Sequence, residues 1–329
     1  MKVLNAEGLR AWLTTLIARG PLIAPVADGP AIRYRRVRSV DEILFDFGRP
    51  DLPLKEFFFP PTEALFHIRQ GEGEVQLDEP SWDQEPVIFG ARPCDVRALE
   101  VLDALLLAEP VDPYYARRRE RTALIGIACQ ELGPECFCTS VGVTPDDPSG
   151  MDVLLTPLDE GYAVEALTER GKRLLEGAAL TRVEGAVPRK SWRAGPVPVP
   201  PQAVWTARFE DPYWSHLADR CLSCRLCTYV CPTCRCYDVR DYSEGIEPGA
   251  ERFERLRCWD SCMAVNYRTI AGGHNPRPTT MHRLRNRFYC KFLYYPADFG
   301  PVACVGCGRC IVHCPVNVDI TEVLSEMEA

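Results

Sequence analysis

The last third of the chain contains Cys221-Leu-Ser-Cys224-Arg-Leu-Cys227-Thr-Tyr-Val-Cys231-Pro232 and, further along, Cys304-Val-Gly-Cys307-Gly-Arg-Cys310-Ile-Val-His-Cys314-Pro315. Both stretches have the C-x2-C-x2-C-x3-C-P spacing that ligates [4Fe–4S] clusters. Three close cysteines bind three corners of one cluster, and the fourth, which precedes proline, usually ligates the other cluster. The sequence therefore predicts two clusters with exchanged fourth ligands. The first set is Cys221, Cys224, Cys227 and Cys314, and the second set is Cys304, Cys307, Cys310 and Cys231.

The cysteine content argues for a reducing environment. Zinc knuckles or disulfides are the alternative interpretation of the two runs, but the total of 17 cysteines is odd and cannot pair completely. We therefore expect a cytoplasmic protein. No apolar run approaches the roughly 20 residues of a membrane helix. Residues 1–26 do not have the pattern of a signal peptide, because apolar residues at helical spacing predict an amphipathic helix near 6–18.

The first half of the chain has the pattern of an α/β domain. Short apolar runs lie at 43–47, 85–90 and 122–128, and an apolar stripe predicts a helix at 95–109 with Asp95 as its N-cap. The runs at 85–90 and 122–128 are continuously apolar, so we expect strands of a sheet that is covered on both faces. Residues 152–158 and 162–167 predict a hairpin.

A proline-rich segment at 188–201 predicts an extended, stiff connection. Helical patterns follow at 252–266 and 281–292. We therefore predict an α/β N-terminal domain followed by a mainly α-helical two-cluster ferredoxin domain. The predicted divisions are 1–193 for the first domain, 194–201 for the linker and 202–329 for the second domain.

Four further cysteines lie in the N-terminal part. They are Cys94, Cys129, Cys136 and Cys138. Cys94 opens a predicted helix after a strand, Cys129 ends the next strand, and adjacent strand ends meet at one edge of such a sheet. Three interpretations remain open: a third iron–sulfur cluster, buried thiols or an edge that contacts a flavin, and a zinc site. The single residue between Cys136 and Cys138 argues against a cluster, because both sulfurs must reach separate corners.

Five cysteines have no assigned role. They are Cys234, Cys236, Cys258, Cys262 and Cys290. Buried thiols are the plain interpretation, and a further metal site from Cys234, Cys236, Cys262 and a fourth ligand is the alternative. His313 precedes Cys314 and is a candidate for tuning a cluster through a hydrogen bond near sulfur; a packing role is equally compatible with the sequence.

The formal net charge is −8, yet residues 261–296 contain basic residues and no acid. The basic residues are Arg268, Arg277, Arg283, Arg285, Arg287 and Lys291. A solvated face, compensation of anionic clusters and docking of an acidic partner are all compatible with this stretch. The acidic balance of the whole chain argues against nucleic-acid binding.

The chain lacks the motifs of substrate chemistry. No glycine-rich dinucleotide fingerprint follows a strand, and no phosphate-binding loop or acid–base constellation is present. The sequence therefore predicts electron carriers without a catalytic site of their own.

Several motifs together carry a family resemblance. They are Arg92-Pro-Cys-Asp-Val-Arg-Ala-Leu-Glu100, Asp112-Pro-Tyr-Tyr115, Cys136-Phe-Cys-Thr-Ser140, Cys231-Pro-Thr-Cys-Arg-Cys-Tyr-Asp238, Trp259-Asp-Ser-Cys-Met263, Ala271-Gly-Gly-His-Asn275 and Cys304-Val-Gly-Cys-Gly-Arg-Cys310. In this order they resemble the β subunits of soluble multisubunit [NiFe]-hydrogenases, the sulfhydrogenases. They are also similar to the A subunit of anaerobic sulfite reductase.

The resemblance implies an electron-transfer subunit between a flavoprotein that handles NAD(P)H and a catalytic subunit. It implies the same eight cluster cysteines that the two runs indicate. A cytosolic hydrogenase complex, with its small and large subunits, is the favoured context. The sulfite reductase catalytic subunit is the closest alternative partner, and a freestanding iron–sulfur scaffold or redox sensor is the alternative of a different class.

Overall fold

The computed structural model describes residues 1–71, 73–247 and 250–329. The strands are β1 (Lys2–Leu4), β2 (Leu22–Asp28), β3 (Ala31–Val37), β4 (Thr62–Gly71), β5 (Glu74–Asp78), β6 (Val87–Ala91), β7 (Ala123–Ile127), β8 (Val153–Pro157), β9 (Tyr162–Ala166), β10 (Thr181–Arg182), β11 (Tyr237–Glu247) and β12 (Ala250–Trp259). The helices are α1 (Ala6–Arg19), α2 (Lys55–Phe58), α3 (Pro93–Leu106), α4 (Pro113–Arg121), α5 (Glu169–Leu174), α6 (Gln202–Ala207), α7 (Tyr213–Arg220), α8 (Leu226–Tyr229), α9 (Thr280–Tyr289), α10 (Tyr295–Phe299), α11 (Arg309–Val312) and α12 (Ile320–Glu328).

The N-terminal part is built on a mixed sheet. Within the described residues its strand order is β10-β1-β9-β8-β7-β6-β2-β3, and β2, β6, β7 and β8 run parallel to one another. All five residues of β7 are buried, and Leu124 and Ile125 pack into hydrophobic clusters on opposite faces. The predicted strands at 85–90 and 122–128 and the predicted hairpin are confirmed. The fully covered sheet explains why β6 and β7 are continuously apolar.

The apolar run at 43–47 lies in a loop that follows a 3₁₀ turn at Val40–Glu42, and Ile43 and Phe47 fill the core from there. One prediction in this part is wrong. Asp95 is not an N-cap, since the helix begins at Pro93 with Arg92 as its N-cap residue. Proline suits the first helical position, where its missing N–H has no helical partner to lose.

A second sheet joins the two sides of the proline-rich segment. Its order is β11-β12-β4-β5, so the N-terminal strand β4 pairs with β12, and Phe253 lies opposite Ile68. The predicted helix at 252–266 is therefore wrong. Its Glu, Arg and Leu residues favour a helix locally, but strand partners on both sides override that preference. Arg257 on β12 donates from Nε to Glu63 Oε2 on β4 at 2.9 Å, and both side chains are buried.

The C-terminal part combines these strands with helices around an aromatic core. Trp205, Trp214, Phe288 and Phe292 are buried together, and the rings of Trp205 and Phe292 stack with centroids 5.2 Å apart. The predicted helix at 281–292 is confirmed as α9 and its π-helical continuation at Cys290–Tyr294. The predicted helical dominance of this domain is not confirmed, because β11 and β12 are strands of 11 and 10 residues.

The proline-rich segment has no helix or strand between β10 and α6. It packs beside the loop that carries Ser140, whose Oγ accepts a hydrogen bond from the Val197 N–H at 3.2 Å. Because β4 and β12 pair across this segment, the division at 193 remains a prediction about folding units. No helix among the described residues is long and apolar enough to cross a membrane.

Candidate metal centres

The two cysteine runs fold into the same backbone shape. Ser223 and Gly306 occupy equivalent positions with φ of 53° and 61°, and Arg225 and Gly308 both have φ of 70°. A short helix follows in each case, α8 in the first run and α11 in the second. The left-handed region costs a non-glycine residue about 1–2 kcal/mol. In the first run, Ser223 and Arg225 therefore hold a strained turn that wraps the chain around one centre. In the second run, glycines form the same turn without strain.

The first predicted ligand set lines one small pocket. Its cysteines are Cys221, Cys224, Cys227 and Cys314. Cys314 comes from the second run, and its Sγ accepts a hydrogen bond from the Val318 N–H at 3.1 Å. Arg287 contributes to the same pocket. The structure thus brings together the three close cysteines of one run and the last cysteine of the other.

The second predicted set is buried around Cys231. Burial raises the pKa of Cys310 to about 12, Arg287 lowers it, and the neighbouring sulfurs that raise it are Cys307, Cys231 and Cys304. Burial also raises the pKa of Cys231, but the ammonium groups of Lys291 and Lys55 outweigh burial and bring it to about 6. Cys231 therefore lies among the cysteines of the other run and is readily ionised.

Lys291 and Arg287 are buried cations beside these thiols. The Lys291 Nζ lies 3.1 Å from Cys231 Sγ and 2.9 Å from Thr233 Oγ1. Arg287 is 3% exposed, its Nε has no hydrogen-bond partner, and it forms no salt bridge with any described residue. Burial lowers the pKa of Arg287, but Cys227, Cys310, Cys231 and Cys262 raise it above its usual value.

The buried charge of Arg287 bears on whether these residues fit an iron–sulfur cluster. A buried, unpaired guanidinium costs several kcal/mol unless an anion compensates it. Clusters held by four thiolates are net negative and would supply that compensation from both sets. A single zinc ion would instead need its sulfurs about 2.3 Å away around one point. No described group of three or more His, Cys, Asp or Glu side chains is arranged for a single ion. The donor sets fit clusters.

The structure also brings the N-terminal quartet together. Cys94, Cys129, Cys136 and Cys138 line one cavity of about 800 Å³, and Cys307 of the second set lines it too. Burial raises the pKa of Cys138 to about 12 and also raises that of Cys94. Sequence reasoning placed the quartet at one sheet edge but did not anticipate the contact with the second run.

The remaining cysteines belong to none of these sets, although Cys234 is an electrostatic neighbour of Cys227 and Cys231. The thiol of Cys236 is hydrogen-bonded to Cys234 and Cys262. Cys290 lies 3.6 Å from an Arg235 nitrogen, and Cys258 is on β12 opposite Asp238. A metal site on Cys234, Cys236 and Cys262 stays a hypothesis, since none of the described groups is arranged around one ion.

His313 does not contact a cysteine sulfur among the described residues. Its Nδ1 lies 2.9 Å from the Arg309 carbonyl oxygen, and its Nε2 lies 3.2 Å from Asp51 Oδ1. Tuning of a cluster by His313 therefore stays a prediction without a direct sulfur contact to support it.

The acid-free stretch at 261–296 is not a solvated face. Four of its six basic residues are buried, namely Arg283, Arg285, Arg287 and Lys291. Arg285 lies over the Phe209 ring at 3.6 Å and also reaches Glu210. Of the three interpretations of this stretch, compensation of anionic clusters matches Arg287 and Lys291. Sequence reasoning missed these two as individual site residues, and the signal available was their spacing of four residues on one predicted helix.

Comparison with known proteins is consistent with this geometry. The 4Fe-4S dicluster domain family matches residues 220–318, which supports two [4Fe–4S] clusters in the chain. The chain is 33% identical to the sulfhydrogenase 2 subunit beta of Pyrococcus furiosus over 339 aligned positions, which cover 98% of this chain and 97% of that protein. No solved structure matches the chain. The chain belongs to the family of sulfhydrogenase β subunits, iron–sulfur proteins that carry a 4Fe-4S dicluster domain.

Proposed function

We propose that this chain relays electrons between a flavoprotein subunit that handles NAD(P)H and the catalytic subunits of a cytosolic [NiFe]-hydrogenase. The observation that carries the proposal is the pair of cysteine sets with the buried, unpaired Arg287 between them. When bound, the clusters would supply one-electron redox chemistry. The protein supplies thiolate ligands, compensating charge and a dry surrounding.

The exchanged ligation is part of this proposal. Cys221, Cys224, Cys227 and Cys314 share one pocket. Cys231 is an electrostatic neighbour of Cys304, Cys307 and Cys310. The fourth cysteine of each run therefore lies with the three close cysteines of the other run. This exchange connects the two sets and favours their close approach.

The need for a partner follows from the electron count. NAD(P)H donates a hydride, which carries two electrons, whereas an isolated cluster accepts one. A flavin separates the pair, and such a cofactor needs its own binding site. The chain has no dinucleotide fingerprint. We therefore place the flavin on another subunit. The cytoplasm, where thiols stay reduced, is the compartment that suits this chain.

The test uses the full-length chain, loaded anaerobically. Dithionite should reduce its clusters, and NAD(P)H alone should not. Addition of the flavoprotein subunit of the same complex should start reduction by NAD(P)H. A double variant, Cys224→Ala with Cys307→Ala, serves as the control in which flavin reduction persists and relay is lost. Stoichiometric flavin on the isolated chain with NAD(P)H turnover would overturn the proposal.

A further inference from the structure

The cavity at the carboxyl ends of β6 and β7 concentrates four thiols. Cys94 lies in the first turn of α3 after β6, Cys129 follows β7, and Cys136 and Cys138 come from the next loop. All four line the same space of about 800 Å³. The carboxyl edge of parallel strands is where open α/β sheets place their ligands. Three separate segments of the chain thus place cysteine side chains on the wall of one cavity.

The loop geometry removes the objection to the Cys-x-Cys pair. Phe137, between the two cysteines, is buried in the C-terminal hydrophobic cluster, on the side away from the cavity. The Cys136 N–H donates to the Gly133 carbonyl at 2.9 Å, and a 3₁₀ turn begins at Cys138. Because the chain turns between them, both cysteines line the cavity from different positions.

The positive charges around the cavity call for an anion. Arg49 Nη1 lies 3.9 Å from Cys136 Sγ, and the buried Arg49 Nε has no partner. Arg92 is 9% exposed and hydrogen-bonds the Cys129 side chain. Neither guanidinium forms a salt bridge with a described residue. The positive end of the dipole of the 14-residue helix α3 adds to the positive field beside Cys94. Arg49 also donates to the Cys307 carbonyl, and Arg92 donates to the carbonyl oxygens of Phe47 and Gly48. These partners are neutral, so neutral thiols alone would leave both guanidinium groups without an anion.

The cavity is in contact with the second cysteine run. The Phe137 N–H donates to the Gly306 carbonyl at 2.8 Å. A Cβ on Gly306 would lie 2.4 Å from the Cys138 Cα, and a Cβ on Gly308 would lie 2.4 Å from the Glu135 carbonyl oxygen. Only glycine permits this approach, which also places Cys307 on the cavity wall.

We propose that Cys94, Cys129, Cys136 and Cys138 hold a third iron–sulfur cluster of the [4Fe–4S] type, next to the cluster that Cys307 ligates. It takes up and releases one electron, with no covalent bond made or broken. The site stands on the cavity, whereas its role as an extension of the relay rests on the proposed function. A flavin has no need of four thiols, and none of the described groups of ligands surrounds a single ion as zinc requires.

The test measures iron and sulfide in the full-length chain prepared anaerobically. The proposal expects about 12 iron and 12 sulfide per chain, since each [4Fe–4S] cluster holds four of each. A Cys129→Ala, Cys136→Ala double variant should fall to about 8 of each and lose one dithionite-reduced EPR signal. The signals of the other two clusters report that this variant has folded. Cys290→Ala, outside every set, is the matched control and should keep about 12.

The possible outcomes separate this proposal from the relay. If the wild-type chain contains only about 8 iron, the proposal of a third cluster is wrong, even if the relay works. This holds whether or not zinc or released flavin is also found. About 12 iron with the quartet-dependent signal supports the site even if the flavoprotein fails to reduce the chain. Should the double variant not fold, Arg49→Met supplies the second measurement, because it keeps all four ligands. It should shift the midpoint potential of the quartet-dependent signal downward, and an unchanged potential would count against an anionic cluster there.

Discussion

Arg309 and Asp95 form a two-pronged ion pair in which both side chains are fully buried, with Nη1–Oδ1 at 2.7 Å and Nη2–Oδ2 at 2.8 Å. Arg309 precedes Cys310 of the second run, and Asp95 follows Cys94 of the quartet. The pair therefore fixes the loop of the second cysteine run directly against helix α3. Together with the contact between Phe137 and Gly306, it connects parts of the chain that lie on opposite sides of the proline-rich segment.

We expect Arg309→Met to destabilise the loaded chain by about 3–5 kcal/mol, because it leaves the Asp95 carboxylate buried and uncompensated. The double variant Asp95→Leu, Arg309→Met removes both charges and should recover much of that loss. Guanidinium unfolding under nitrogen, followed by tryptophan fluorescence, measures both effects. Losses that simply add in the double variant would show that the two residues do not act as a pair.

Lys291 should set the potential of the cluster held by Cys231. Its ammonium lies 3.1 Å from the Cys231 sulfur and stabilises the more negative, reduced state of a cluster at this position. We expect Lys291→Met to lower that midpoint potential by on the order of 100 mV, a charge interaction of a few kcal/mol at an effective dielectric constant of about 20. Redox titration monitored by EPR measures the shift. Lys291→Arg keeps the charge and should leave most of the potential in place.

Arg287 should act on both clusters. Its charge interacts with Cys227 of the first set and with Cys310 and Cys231 of the second. Arg287→Leu should therefore lower two midpoint potentials in one titration, whereas Lys291→Met lowers mainly one. The matched control is Arg283→Leu, one turn earlier on α9, because Arg283 is also buried but bonds the carbonyl oxygens of Arg277 and Pro278. Equal shifts in the two arginine variants would mean that general disturbance of α9 causes the effect.

Local patterns in the sequence were sufficient for the cysteine runs and the central strands. The spacing of each run dictates which sulfurs share a turn, and the continuous apolar stretch at Ala123–Ile127 indicates a strand covered on both faces. The strand β12 could not be predicted in this way. Its sequence favours a helix, and its partner β4 lies far earlier in the chain. Strand pairing over such a distance leaves no periodic signal in either segment.

The buried cations were hidden for a different physical reason. Basic residues are almost never fully buried without a partner, so the stretch with Arg287 and Lys291 suggests an exposed face. Their compensation comes from thiols on other segments, Cys227 in one set and Cys231 in the other. Only the fold shows that these charges meet, although a helical spacing of four residues with no nearby acid is a usable signal in related sequences.

The exchanged ligation can be decided by comparing two pairs of single variants. Cys231→Ala should damage the cluster on Cys304, Cys307 and Cys310, and Cys314→Ala should damage the cluster on Cys221, Cys224 and Cys227, because each removes the fourth ligand of the opposite run. Cys224→Ala and Cys307→Ala assign the two EPR signals beforehand, because each removes a close cysteine of one run. The expected result is that Cys231→Ala loses the same signal as Cys307→Ala, and that Cys314→Ala loses the same signal as Cys224→Ala. If Cys231→Ala instead shared its loss with Cys224→Ala, and Cys314→Ala with Cys307→Ala, each run would ligate its own cluster.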